Sequence, residues 1–243
     1  MWQLVRMATP NRFWLLTGLS LLLSGAASAA EIRISDRVFL VQDRPNSPVE
    51  FQMVVNAGCA DEAGGDCRGV AHYLEHLVLV GRNPENKDAA LRFFPDAASN
   101  GWTSQKATVY THRIPARPDG AAADLTKLFD FYAARLRDFS IPADEALRER
   151  NVVLQEHDWR LGSNPFARLN RKIDRLLLPD HPLGQWVVGS RDSIQALTLD
   201  DARQFHQTWY HPKNAWFVIK GDIAPDTLKA ISQTSLGRAE AGD

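Results

Sequence analysis

The chain has only two cysteines and almost no net charge, and past its first thirty residues it has no long apolar run. Each scarcity excludes something. Two cysteines cannot build the disulfide framework of a small secreted scaffold. A net charge of −1, with neither a basic run nor interleaved arginine and aromatic residues, removes the electrostatic footprint of a nucleic-acid binder, so nucleic acid is not an expected partner. The absence of a later apolar stretch of roughly 20 residues leaves no stable membrane span in the processed chain. No internal repeat and no low-complexity tract is visible. What remains, 44% hydrophobic and 23% charged, is the composition of a globular domain able to bury one core.

The first thirty residues read as an export signal. Arg6 and Arg12 form a positive start, Phe13 to Leu23 form an apolar run of 11 residues, and Ala27-Ser28-Ala29 offers the small residues of a cleavage site. The expected division is therefore a signal peptide over 1–30 and a single domain over 31–243, exported to a compartment such as a bacterial periplasm. The competing reading of 1–30 is a buried N-terminal helix. Cys59 and Cys67, eight positions apart in a Gly- and Asp-rich segment, would close a short loop in an oxidising compartment. Metal ligation is their alternative role, although the spacing matches no common zinc-knuckle pattern.

Periodicity supplies a coarse map. Phe39–Val41 and Val49–Ala57 read as strands of an opening hairpin across the proline-bearing segment 43–48. Val70, Tyr73, Leu74, Leu77 and Val78 recur at helical spacing over 70–80. A short helix is expected over 87–94, and two strands over 99–113 with a turn at Gln105-Lys106. Amphipathic helices should follow at 121–137, 143–161 and 166–177, then a loop at 181–184, a helix from Thr198 to Tyr210, a strand over 216–219 and a helix over 225–234.

The chemistry lies in His72-Tyr73-Leu74-Glu75-His76. Positions i and i+4 share a helix face, so His72 and His76 can reach one metal ion while Glu75 stands beside them as a general base. This H-x-x-E-H order is the inverse of the commoner zinc-peptidase motif. Two ordinary helix histidines beside an acid would look the same. A third ligand must come from another element, and Glu156 is the natural carboxylate, with Glu149 two turns earlier able to accept from a ligating imidazole. Such a glutamate pair can also be a solvated helix face. Neighbouring positions on a helix diverge by about 100°, which turns His157 away from that site. His112, His206 and His211 read as structural.

Taken in order, these segments resemble the N-terminal domain of the pitrilysin, insulin-degrading-enzyme and mitochondrial-processing-peptidase family, over essentially the whole mature chain. Gly58-Cys59-Ala60-Asp61-Glu62 resembles the family's A-G-S-x-D-E turn, and Gly69 to His76 its G-x-A-H-x-x-E-H helix. Ser99-Asn100-Gly101-Trp102-Thr103 is similar to the x-N-A-x-T strand, with Gly101 in place of the usual alanine. Glu149 through Glu156 resembles the segment bearing the distal ligand. His181-Pro182-Leu183-Gly184, Ile194 with Leu197-Thr198, and Tyr210 through Gly221-Asp222 are similar to downstream landmarks of the family.

The resemblance implies an α+β domain with a mostly antiparallel sheet and helices on one side. It implies one Zn2+ per chain on His72, His76 and Glu156, with Glu75 as base, Glu149 in support and Asn100 contacting the backbone of a peptide substrate. It further implies a second related domain, in the same chain or a partner, carrying an Arg and Tyr pair; nothing after Asp222 is expected to supply one. Three functions remain open: a zinc endopeptidase completed by another subunit or by self-association, a metal-binding non-catalytic subunit, and a truncated product.

Overall fold

The computed structural model describes residues 31–80, 98–117, 120–179 and 181–241. The segment 1–30, expected as an export signal, and the helix expected over 87–94 lie outside the described residues. Six strands form one sheet: β1 (Glu31–Arg33), β2 (Val38–Gln42), β3 (Val49–Val55), β4 (Ala98–Thr103), β5 (Thr108–Ile114) and β6 (Ala215–Gly221). The helices are α1 (Val70–Val80), α2 (Ala122–Arg137), α3 (Ala143–Ser163), α4 (Pro165–Leu177), α5 (Arg191–Ala196), α6 (Leu199–Trp209) and α7 (Pro225–Ala241). Strand order is β1-β2-β6-β3-β5-β4, and four of the five pairings are antiparallel.

That order corrects the opening hairpin. β2 and β3 are not neighbours, because β6 lies between them, parallel to β2 and antiparallel to β3. The reason is burial. β6 carries Ala215, Phe217, Val218, Ile219 and Gly221 shielded from water, a central-strand pattern that demands a partner on each edge. The 43–48 segment instead crosses the end of β6, where the Asn46 backbone N–H donates to Asp222 at 2.7 Å. Gly221 makes room for the crossing: its φ is +147°, and a Cβ there would meet the Pro48 carbonyl oxygen at 2.7 Å.

β3 alternates strictly between buried and half-buried residues, so one sheet face is covered. On the covered face Phe51 stacks on Tyr132 at 5.5 Å and meets Phe129 edge-on at 5.3 Å, both from α2. Fully burying a side chain of this size stabilises by about 2–3 kcal/mol, so these contacts hold α2 firmly to the sheet. The remaining differences from expectation are small. The expected loop at 181–184 holds a 3-10 turn, Pro182–Gly184, and α7 continues past Thr234 through Gly237. β1 and α5 were not foreseen.

Candidate metal centre

α1 divides its faces by residue type. Tyr73, Leu74, Leu77 and Val78 point into the core, and Glu75 with the two histidines faces α3 and the outer strands. α1 is tied to α3 by one buried bond, in which the Tyr73 hydroxyl donates to the Ala146 carbonyl at 2.7 Å. Tyr73 is thus more than the core contact its spacing suggests. Ala146, Glu149, Val153 and Glu156 follow one another at three- and four-residue steps, so fixing Ala146 against α1 aims both glutamates at its histidines.

His76 Nε2 lies 3.2 Å and His72 Nε2 3.5 Å from the same oxygen, Glu156 Oε2. The imidazole centroids are 4.8 Å apart and nearly perpendicular. One atom from each of these three residues falls within 4.8 Å of the others, the only such group of three or more possible ligands among the described residues. Donors around a tetrahedral zinc with bonds near 2.0–2.1 Å stand about 3.3 Å apart, which the Glu156 distances bracket. Two imidazoles and a carboxylate are a zinc donor set, so the residues fit the ion. On its far side His76 presents Nδ1 to Glu149 Oε2 at 3.8 Å, where an acceptor would fix the tautomer of a ligating ring.

Electrostatics separates the two rings. Burial drives His72 down to about 3, with the neighbouring His76 adding to the effect. Burial also opposes charge on His76, but the Glu149 and Glu156 carboxylates outweigh it and push that ring up to about 9. Glu156 is held near 2: burial works against its charge, and His76, His72 and Arg160 overcome it. His72 Nδ1 is buried without a partner, so this ring has only the Glu156 side on which to satisfy itself.

Glu75 is 5% exposed, and its carboxyl is raised by burial against a 2.6 Å hydrogen bond donated by Thr103 Oγ1 of β4. A raised carboxylate beside the two histidines is suited to accepting a proton. Gly101, where the family pattern has alanine, packs against this group: a Cβ there would stand 2.8 Å from Glu75 Oε1. β4 is one of the two edge strands among the described residues, and Asn100 is exposed on it, its amide oxygen accepting from the Gly101 N–H at 2.9 Å.

The other histidines lie apart. His112 is buried between Ser99 Oγ at 2.7 Å and the Tyr132 hydroxyl at 2.6 Å, and His206 Nε2 bonds the Arg135 carbonyl at 2.6 Å. His157 turns to Asp158 and packs on Trp186, and His211 is exposed. Cys59 and Cys67 are joined, with S–S 2.04 Å.

Fold and site together give an α+β domain in which a group that could hold a metal ion is shared between two helices. Residues 37–174, more than half of the chain, match the family model for insulinase (peptidase family M16), and the chain belongs to that family. Residues 196–243 match the model described as the peptidase M16 inactive domain; they include β6, a strand of the one sheet described above. Zinc protease PqqE of Helicobacter pylori is 30% identical over 76% of this chain and 40% of its own length. The probable zinc protease PqqL of Escherichia coli is 27% identical over 81% of this chain and 21% of its own length. The chain therefore spans less than half of these relatives. Among solved structures, a protease from H. pylori superposes with TM-score 0.70 at 26% identity, covering 85% of this chain and 49% of that one. The first half of the periplasmic protease PqqL gives 0.72 at 22% identity over 86% of this chain and 45% of that one, a likeness of fold. Among the described residues no helix is long and apolar enough to cross a membrane.

Proposed function

We propose that the protein is a zinc-dependent endopeptidase acting on extended peptides or unfolded segments, exported to a periplasm, with His72, His76 and Glu156 holding the ion. The observation that carries this reading is the convergence of both imidazoles on one Glu156 oxygen, at 3.2 and 3.5 Å. A bound zinc supplies Lewis acidity, lowering the pKa of water towards about 7 and polarising a carbonyl. Glu75 takes the proton released from the water and returns it to the leaving amine. Its burial favours the protonated form between those steps, and the Thr103 hydroxyl holds the carboxylate in place. Glu149 fixes the His76 ring from behind. An extended substrate adds along the edge of β4 that has no strand partner among the described residues, near Asn100.

The chain spans 40% and 21% of the two zinc proteases named above, which supports completion of the active enzyme by a second domain of the family, in the same protein or in a partner. The test is peptide cleavage by the chain with its co-purified partner, inhibited by chelator and restored by zinc. Cleavage that survives complete metal removal would defeat the reading.

A further inference from the structure

The first turn of α1 lacks a local cap. Gly69, which precedes it, has no side chain to offer and cannot be replaced by a residue that has one, since its φ is +94° and a Cβ would lie 2.3 Å from the Val188 carbonyl oxygen. Helix starts leave backbone N–H groups unpaired, and buried ones must find an acceptor. Here the acceptor comes from outside the helix. Glu62 Oε2 accepts from the Arg68 N–H at 2.7 Å, and Oε1 accepts from the Ala71 N–H at 3.0 Å. Glu62 is 3% exposed and lies inside the loop that Cys59–Cys67 closes. The same loop is anchored to the turn after β4, where the Cys59 N–H donates to the Ser104 carbonyl and the Ala60 N–H to the Gln105 carbonyl. β4 in turn delivers Thr103 to Glu75.

We propose that Glu62 is a positioning residue for the metal centre, a cap held by the disulfide-closed loop that sets α1 against β4 and so places His72, Glu75 and His76 relative to Glu156. This rests on the metal-site reading above. The side chain is well matched to the task, because its two oxygens can accept from separate N–H groups. His72 is the residue immediately after Ala71, so any movement at the capped N–H groups is transmitted to the first imidazole.

The test compares the full chain with Glu62→Ala and Glu62→Gln. Hydrogen exchange of the metal-free proteins is followed at 70–76 and at β3 and β6, and zinc affinity is measured by competition with a chromophoric chelator. In Glu62→Ala, exchange at 70–76 should quicken about tenfold while β3 and β6 keep their protection, and zinc affinity should fall about tenfold. Glu62→Gln, which keeps one accepting oxygen, should recover part of both. If Glu62→Ala does not fold, Glu62→Gln carries the comparison with smaller shifts in the same two readouts. Protection lost evenly across helix and strands, or zinc affinity within about twofold of wild type in a folded variant, overturns the assignment. A wild-type chain that takes up no zinc defeats the metal-site reading instead, and selective exchange of α1 then decides the assignment alone.

Discussion

His112 and His206 are as deeply buried as His72, yet the scaffold histidines and the site histidines are built differently. The scaffold rings bond to neutral groups, a hydroxyl pair for His112 and a carbonyl for His206, and burial drives each down to about 4. They are uncharged structural wedges. His72 and His76 instead face one carboxylate from a second helix, and His72 keeps a buried Nδ1 without a partner. Burial alone therefore does not mark a functional histidine. What sets the second pair apart is the convergence of both rings on a shared carboxylate, a geometry open to a metal ion.

The comparison can be broken most sharply at Glu75. If the protein is the proposed peptidase, Glu75→Gln should retain zinc and lower turnover by about a thousandfold or more, read by kcat beside metal content. Turnover near wild type would remove Glu75 from the chemistry. Next in size, Glu156→Gln should weaken zinc binding by more than about a hundredfold, since it removes the negative charge of the carboxylate on which both imidazoles converge. Glu149→Gln, which acts on His76 from behind, should weaken it by about tenfold, and a larger loss than at Glu156 would invert the proposed roles.

On the scaffold side, His112→Phe should leave zinc affinity in place but destabilise the fold by about 2 kcal/mol, because Tyr132 and Ser99 lose their buried partner. The pH dependence follows from the same rings. Their folded pKa values lie near 4, below the ordinary 6.5, so the unfolded chain binds more protons between those values. Stability contributed by His112 and His206 is present above pH 6.5 and is lost as pH falls towards 4, at no more than roughly 1.4 kcal/mol per unit for each ring. Urea unfolding across that window should show the slope, and His112→Phe should flatten it.

Much of this was legible in sequence where the signal is local. The periods over 70–80 and 143–161 marked both helices, the seven-residue step from Glu149 to Glu156 put those two on one face, and the resemblance proposed them as one site. The pairing of β2 was not legible, because its neighbour β6 lies far along the chain and a proline-bearing turn mimics a hairpin. The Tyr73 hydroxyl bond to Ala146 was hidden for a similar reason: spacing shows that a residue is buried and says nothing of where its polar tip ends. Glu62 was visible only as part of a family turn. Its one sequence signal, a helix start with glycine where a capping side chain is usual, becomes meaningful once the loop folds back.

Zinc titration of the metal-stripped full chain beside His72→Ala tests the central claim most directly. One zinc per wild-type chain, with the site lost in the variant, is the predicted result. Equal stoichiometry in both proteins, or no uptake by the wild type, would contradict it.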